Sequence, residues 1–380
     1  MEKKIQITTP FFNREEYKEV KEVIDSGWLT QGPKVETFEK KFAKYNNSKF
    51  SIALNSCTSG LHLMLEACDV KRGDEVIVPS FTWISTANAV EYTGAKPIFV
   101  DVDISTFNIN IEEVIKKINH KTKAIIVVHL FGLCVNVELL KSKIPKKIKI
   151  FEDCACAVGA SYNGIRSGNL GEAGVFSFHP RKLITTGEGG MLTTNNYNIA
   201  KKIIEMRNHG ASLNDFKRHK NLNPSQMPNF NLLGYNYRMT DIQAAIGTVQ
   251  LKKIKSMLIY RDKLAKIYIK KLRNLEWLNT PIISKDFKHS WQAFVISLNN
   301  KKIKLNRNEI MDILKKKGIA TRPGTHAIHM LSYYKKKYKL EDNQYPNSKY
   351  CYENSIALPL HNKMKISDVN YVIKELIQLK

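Results

Sequence analysis

The sequence predicts an α/β protein: a large domain built on a mostly parallel seven-stranded sheet, followed by a smaller α/β C-terminal domain. Three observations carry this reading. Between about residues 47 and 195, short apolar runs alternate with segments of helical spacing, the pattern of strands covered by crossover helices. From Thr240 onward the apolar residues keep a helical period long enough to lead out of a sheet domain. A chain of 380 residues also exceeds one average domain and can bury a sizeable core.

The strands are expected at 51–54, 75–78, 97–100, 124–129, 148–151, 174–178 and 190–194, each a run of β-branched or apolar residues bounded by polar or turn residues. Thr240 is expected near the N-cap of a helix that reaches Ile254, with helical spacing continuing over 258–272. A strand over 290–298, a helix over 306–317 and a closing helix over 366–379 complete the C-terminal part. The large domain is accordingly placed at 1–250, N-terminal segment included, and the small one at 251–380. No internal repeat or low-complexity linker interrupts the chain.

Composition narrows the function classes. No run of about 18 apolar residues occurs, and the opening Met1-Glu2-Lys3-Lys4 leads into Ile5-Gln6-Ile7, not into a signal-peptide core, so a cytoplasmic protein is expected. Six scattered cysteines fit free thiols in a reducing compartment. Cys154-Ala155-Cys156 has no second ligand pair at metal-clip spacing, and no metal is expected. The net charge of +25 is spread over the whole chain, with neither a basic arm nor interleaved aromatics, which reads as solvated lysine faces and not as a nucleic-acid surface. Such a field still favours an anionic substrate.

The chemistry centres on Lys182. It follows a strand-like run, has Ser177 five residues before it, and leads into the turn Gly187-Glu188-Gly189-Gly190. An imine-forming amine needs such a rigid support, and it acts as acid and base once displaced. Asp153 closes an apolar run and can hold a pyridine nitrogen protonated, because an adjacent carboxylate favours the cation. Asn55-Ser56-Cys57-Thr58-Ser59-Gly60 stands between a strand and a helix, so Cys57, Thr58 and Ser59 offer amides and hydroxyls where an anion is favoured, although plain capping by Thr58 explains the segment equally well. Trp83 follows another strand and can stack on a flat ring. A reactive lysine, a ring partner, a phosphate cradle and a stacking aromatic together point to pyridoxal 5'-phosphate.

These segments also resemble a family. Trp28-Leu29-Thr30-Gln31-Gly32-Pro33, Phe38-Glu39, residues 151–195, Gly234-Tyr235-Asn236-Tyr237-Arg238-Met239, Thr321-Arg322-Pro323 with His329, and Leu358-Pro359-Leu360 are similar to the DegT/DnrJ/StrS sugar aminotransferases, and the likeness covers nearly the whole chain. The resemblance implies the aspartate aminotransferase (type I) fold of pyridoxal-phosphate enzymes and a homodimer with active sites at its interface. It implies Lys182 as the Schiff-base lysine, Asp153 as the pyridinium partner, Trp83 as the stacking residue, and Thr58 with Ser177 as phosphate ligands. It also implies that Asn236 reaches the cofactor phosphate of the neighbouring subunit and that Arg238 and His329 line the substrate entrance; His179, beside the lysine, is a further substrate candidate.

Two departures stand out. Members usually carry Gln, His or Glu three residues after the aspartate, where this chain has Cys156, and a thiol is a poor hydrogen-bond partner. Asn55-Ser56-Cys57-Thr58 also replaces the frequent Ser-Asn-Gly-Thr. Because relatives with histidine at the lysine position catalyse dehydration, Lys182 implies transamination: L-glutamate as donor and a keto-sugar as acceptor, a nucleoside-diphosphate 4-keto-6-deoxyhexose for surface-glycan biosynthesis. A small phosphorylated ketone such as dihydroxyacetone phosphate, or a cyclitol ketone, is the alternative acceptor, and a non-catalytic ligand sensor is the alternative class. Residues 212–229 and 324–327 are expected to shape the acceptor pocket.

Overall fold

The computed structural model describes residues 4–212 and 227–379. Seven strands form the large sheet: β1 (Phe50–Leu54), β2 (Glu75–Pro79), β3 (Lys96–Val100), β4 (Thr122–Val128), β5 (Lys149–Asp153), β6 (Ala173–Ser177) and β7 (Gly190–Thr194). Each lies where the sequence places a strand, with ends shifted by at most two residues. Their order is β1-β7-β6-β5-β4-β2-β3, with β7 antiparallel to both neighbours and every other neighbouring pair parallel.

Period-2 alternation sends side chains into two separate cores. Ala53, Ile77, Ile125, Val127, Ile150 and Phe176 face α2 (Pro33–Asn46) and the long α8 (Asp241–Leu272). Ile52, Val76, Val78, Ile126, Phe151 and Val175 face α3 (Cys57–Ala67), α4 (Ser85–Tyr92) and α7 (Tyr197–Met206). Burial on both faces is what makes such strands read as nearly continuous apolar runs.

Thr240 caps α8 as expected: its hydroxyl accepts from the Gln243 N–H, and Gln243 reaches back to the Thr240 N–H. The two helical stretches predicted there are one helix of 32 residues, unbroken across residue 250. Its C-terminal half packs Leu264, Tyr268 and Leu272 against a second, four-stranded sheet of order β8 (Leu278–Asn279), β9 (Phe294–Leu298), β11 (Ser355–Leu358), β10 (Arg322–Pro323). Helices α9 (Arg307–Lys316) and α12 (Ile366–Ile377) complete this core; between them lie α10 (Ser332–Tyr338) and α11 (Pro346–Asn354).

The strand predicted over 290–298 begins only at Phe294. Trp291 adopts φ +54°, a left-handed conformation no strand permits, and its N–H donates to His289 Nδ1 at 2.8 Å. That kink turns Ser290 and Gln292 back towards the large sheet. The C-terminal part also returns through His326–Ala327, which pairs antiparallel with Phe81–Thr82. Asp101, just past β3, accepts from the N–H groups of Asn347 and Ser348 in the first turn of α11. Among the described residues, no helix is long and apolar enough to cross a membrane.

Candidate active site

The parallel strands and β1 all point their C-terminal ends to one edge, the edge at which open α/β sheets carry their ligands. A cavity of about 580 Å³ opens there, lined by Ser56 and Thr58 beyond β1, Trp83 beyond β2, Asp153 at the end of β5 with Cys156 beyond it, and Ser177 at the end of β6 with Lys182 beyond it. The C-terminal part closes it with Arg307, Arg322 and residues 324–326. Of the 324–327 segment expected to shape the acceptor pocket, residues 324–326 line this cavity and Ala327 does not; of the 212–229 segment, residues 213–226 lie outside the described residues.

Lys182 sits on the turn that follows β6, with its N–H bonded to the His179 carbonyl. Gly187, at φ +84°, reverses the chain towards β7. The Lys182 Nζ donates to Cys156 Sγ at 3.2 Å. Burial pulls its ammonium towards neutrality, but the Cys156 sulfur, Cys57 and the Asp153 carboxylate outweigh that and hold the amine's pKa above its usual value. Two contacts from the kinked segment brace this region: Gln292 Nε2 donates to the Arg181 carbonyl at 2.6 Å and the Ser290 hydroxyl to the Cys156 carbonyl at 3.1 Å.

Asp153 is fixed by two donors, the Thr86 hydroxyl at 2.9 Å and the Ala155 N–H at 3.0 Å. Burial raises its carboxyl above the ordinary range, against the lowering effect of these bonds and of Lys182 and His129. Behind it, the fully buried Glu152 accepts from the N–H groups of Gly168 at 2.7 Å and Gly171 at 2.6 Å. His129 takes the Val135 N–H on Nδ1 at 3.0 Å, so its Nε2 carries the hydrogen that reaches Glu152 at 2.8 Å. Ligand atoms of His129, Glu152 and Cys154 lie within 4.8 Å of one another, and hydrogen bonds occupy the imidazole and the carboxylate. All six cysteines are free, and of the two cysteines in the Cys-Ala-Cys run Cys156 lines the cavity and Cys154 does not.

At the other end of the cavity, Ser56 caps α3 through its hydroxyl, 3.1 Å from the Ser59 N–H. Thr58 is therefore not the cap, and it lines the cavity instead. Gly190 lets β7 pass directly beneath: a Cβ there would sit 2.5 Å from the Ser56 carbonyl oxygen and 2.7 Å from the Cys57 nitrogen. First-turn N–H groups have no carbonyl to reach within the helix, so Cys57 and Thr58 present donors beside the Ser177 hydroxyl. Trp83 is 54% exposed, its ring 5.4 Å from that of His326.

Several expected site residues lie elsewhere. Ser59 turns its hydroxyl back to Asn55 Oδ1 at 2.6 Å, which closes the turn and removes that group from the cavity. His329 is fully buried, its ring held between the Ser80 hydroxyl at 2.5 Å and the Asp342 carbonyl at 3.2 Å, so it cannot line an entrance. Arg238 donates to Asn208 Oδ1 at 2.8 Å and does not line this chain's cavity; nor does Asn236, which is exposed beside it. His179 does line it, with burial lowering the basicity of its ring and Glu188 at 4.0 Å opposing.

Thr86, His129, Ser290, Gln292 and Arg307 were not anticipated. His129 carried a weak signal as the last residue of an expected strand, and Thr86 a weaker one eight residues past another. The other three come from sequence more than 100 residues beyond Lys182, Ser290 and Gln292 from either side of the kink at Trp291 and Arg307 from the first turn of α9, and no local pattern links them to the lysine.

Comparison with known proteins agrees with this architecture. Residues 11–377 match the DegT/DnrJ/EryC1/StrS aminotransferase family. The chain is 36% identical over 367 residues to the spore coat polysaccharide biosynthesis protein SpsC of Bacillus subtilis, covering 96% of this chain and 94% of that one. Its fold superimposes on Streptococcus pneumoniae Spr1654, solved in PMP and PLP forms, with TM-scores of 0.90 and 0.89; for the PMP form the identity is 29%, with 98% of each chain covered. Helicobacter pylori PseC, an aminotransferase involved in the biosynthesis of pseudoaminic acid, gives a TM-score of 0.91 at 27% identity with 99% of each chain covered. The fold is thus that of the aminotransferases, and the chain belongs to the DegT/DnrJ/EryC1/StrS aminotransferase family.

Proposed function

We propose that this aminotransferase moves the amino group of L-glutamate onto a keto-sugar, in the form of a nucleoside-diphosphate 4-keto-6-deoxyhexose, for surface-glycan biosynthesis. The observation that carries the chemistry is the Lys182 amine, in a cavity that also holds the fixed Asp153 carboxylate. Membership of the family, together with SpsC and PseC as relatives, supports a sugar-derived acceptor.

Pyridoxal 5'-phosphate is the cofactor, and the residues present fit it. Burial raises the pKa of Asp153, and a protonated pyridine nitrogen would supply the opposite charge that favours its ionised form. The first turn of α3, which the absence of a side chain at Gly190 lets pack directly on β7, lines the cavity with Thr58 together with Ser177, and such a helix N-terminus suits a phosphate. When bound, the cofactor supplies the aldehyde that carries the amino group and the ring that accepts electrons from the substrate carbon.

The chain's own residues have the following roles. Lys182 Nζ holds the cofactor between turnovers and, once released, moves a proton off and onto the substrate carbon. Asp153 keeps the ring nitrogen protonated, and Thr86 holds Asp153 in position. Trp83 stacks on the ring, Thr58 and Ser177 hold the phosphate with the Cys57 amide, and His179 contacts substrate from the lysine's own turn. In a homodimer, Asn236 and Arg238 serve the neighbouring subunit's cavity, which accords with their position away from their own.

The test is spectroscopic. Purified protein is expected to show the absorbance of a lysine-bound aldehyde, glutamate to convert it to the amine form, and a keto-sugar nucleotide to restore it. Lys182→Ala should lack both changes; transamination at the parent rate by that variant would refute the proposal. Restoration by dihydroxyacetone phosphate and not by keto-sugar nucleotides would move the acceptor to small phosphorylated ketones.

A further inference from the structure

Two charges at the mouth of the cavity have no role in the chemistry above. Arg181 immediately precedes Lys182, and Arg322 comes from β10 of the small domain; both side chains are exposed and both line the cavity. Among the described residues, neither guanidinium has an ion pair or a hydrogen bond. The third arginine there, Arg307, is tied to the Tyr352 carbonyl at 2.9 Å and to Asn308 Oδ1 at 2.6 Å. The carboxylate on that rim, Glu188, lies nearest to His179, at 4.0 Å. Partial burial lowers the Arg322 guanidinium's basicity, and the Arg181 charge adds to this, so the two repel across the opening.

Like charges held together without a counter-ion lower their energy when an anion enters between them, and a planar guanidinium can take a carboxylate or a phosphate through two parallel bonds. The position is also selective. Arg181 is one residue from the reacting amine, while Arg322 reaches in from the other domain, so an anion touching both is the remote end of a substrate whose reacting carbon lies at Lys182.

We propose that Arg181 and Arg322 form an anion clamp that seats the anionic end of the substrate remote from the reacting carbon. The clamp rests on the transamination reading in one respect: a single cavity must accept two substrates in turn. The same pair then takes the side-chain carboxylate of the donor in one half-reaction and the diphosphate of the acceptor in the other.

The test uses cofactor-loaded protein and binding measured apart from turnover. Inorganic pyrophosphate and 2-oxoglutarate are titrated by calorimetry into the parent, Arg181→Gln, Arg322→Gln and the double variant, with cofactor absorbance confirming an intact site. Each substitution is expected to weaken binding about tenfold or more, and the double variant further. Dependence for pyrophosphate alone identifies the acceptor's phosphates as the clamped group, and dependence for 2-oxoglutarate alone identifies the donor's carboxylate; either upholds the clamp. Equal binding of both anions to parent and double variant, or no binding to the parent, overturns it. Because calorimetry needs no turnover, a protein that fails to transaminate yet binds anions through both arginines refutes the proposed function and leaves the clamp standing.

Discussion

The Lys182 Nζ lies 3.2 Å from Cys156 Sγ, and this contact helps to decide the charge of the amine. Burial alone would lower the lysine's pKa, whereas Cys156, with Cys57 and Asp153, raises it. Cys156→Ala removes the nearest of these partners and leaves the burial. The variant's lysine should therefore titrate at lower pH, and the amine should be free to capture pyridoxal phosphate in a more acidic range. A pH series of cofactor-capture rates on apo protein checks this; an unchanged profile would show that the sulfur has no part in setting the charge.

Asp153 gives a prediction whose sign reverses with the cofactor. Its folded-state pKa is raised above 3.8, so the apo protein binds that proton more tightly than the unfolded chain does. Apo stability therefore falls as pH rises from about 3.8 through the raised value, and the loss is complete above it. Asp153→Asn does not titrate, and its apo form should melt higher than the parent near pH 7, with the gap closing in acid. Once loaded with cofactor, the parent should melt higher, and the variant's transamination should fall about a hundredfold or more for want of the ring's counter-charge. Melting curves with and without pyridoxal phosphate, at both pH values, test the reversal.

Much of this site was legible because its core is local. Asp153, Ser177, Lys182 and Thr58 each stand within a few residues of a strand end, and a parallel sheet brings such ends to one edge whatever the details of packing. His329 was placed at the substrate entrance by the family resemblance alone, while the pairing of His326–Ala327 with Phe81–Thr82 pulls the next residues into the interior. The strand predicted from residue 290 failed at Trp291, whose positive φ depends on a side-chain acceptor, His289, that sequence spacing does not reveal. Arg181 stood in plain view beside Lys182, but its partner in the cavity lies 141 residues further on, too far apart for any local pattern to link them.

Two buried histidines should govern acid stability. Burial pushes His289 down to about 3 and His361 to about 4, against 6.5 for the free side chain. Between these values the unfolded chain binds the proton and the folded one does not, so stability is present above about 6.5 and is lost as pH falls. Each group contributes a slope of about 1.4 kcal/mol per pH unit in its window. Urea unfolding between pH 7 and 4 should show that slope, and His289→Gln should flatten it by roughly one proton. An equally steep variant would mean that His289 takes up no proton on unfolding in this range.

The first residue of α8 supports the lysine from a distance. Asp241 Oδ1 accepts from the N–H groups of Gly32 at 2.8 Å and Val35 at 3.0 Å, and Oδ2 from that of Lys34 at 3.0 Å, so one carboxylate satisfies the N-terminus of α2. Helix α2 in turn packs Phe38 and Phe42 against Phe178, with centroids 5.4 and 5.9 Å away, and Phe178 lies four residues before Lys182. Asp241→Ala leaves three N–H groups without their acceptor and should cost about 2–3 kcal/mol of stability. Asp241→Asn keeps an oxygen for Gly32 and Val35 but turns an amide donor towards the Lys34 N–H, so it should fall between parent and alanine. If α2 fixes the lysine turn through Phe38 and Phe42, the Ala variant should also release pyridoxal phosphate faster, by dilution and absorbance decay, with Asn again intermediate. Lost stability with an unchanged release rate would confine Asp241 to folding and separate the α2 packing from the position of Lys182.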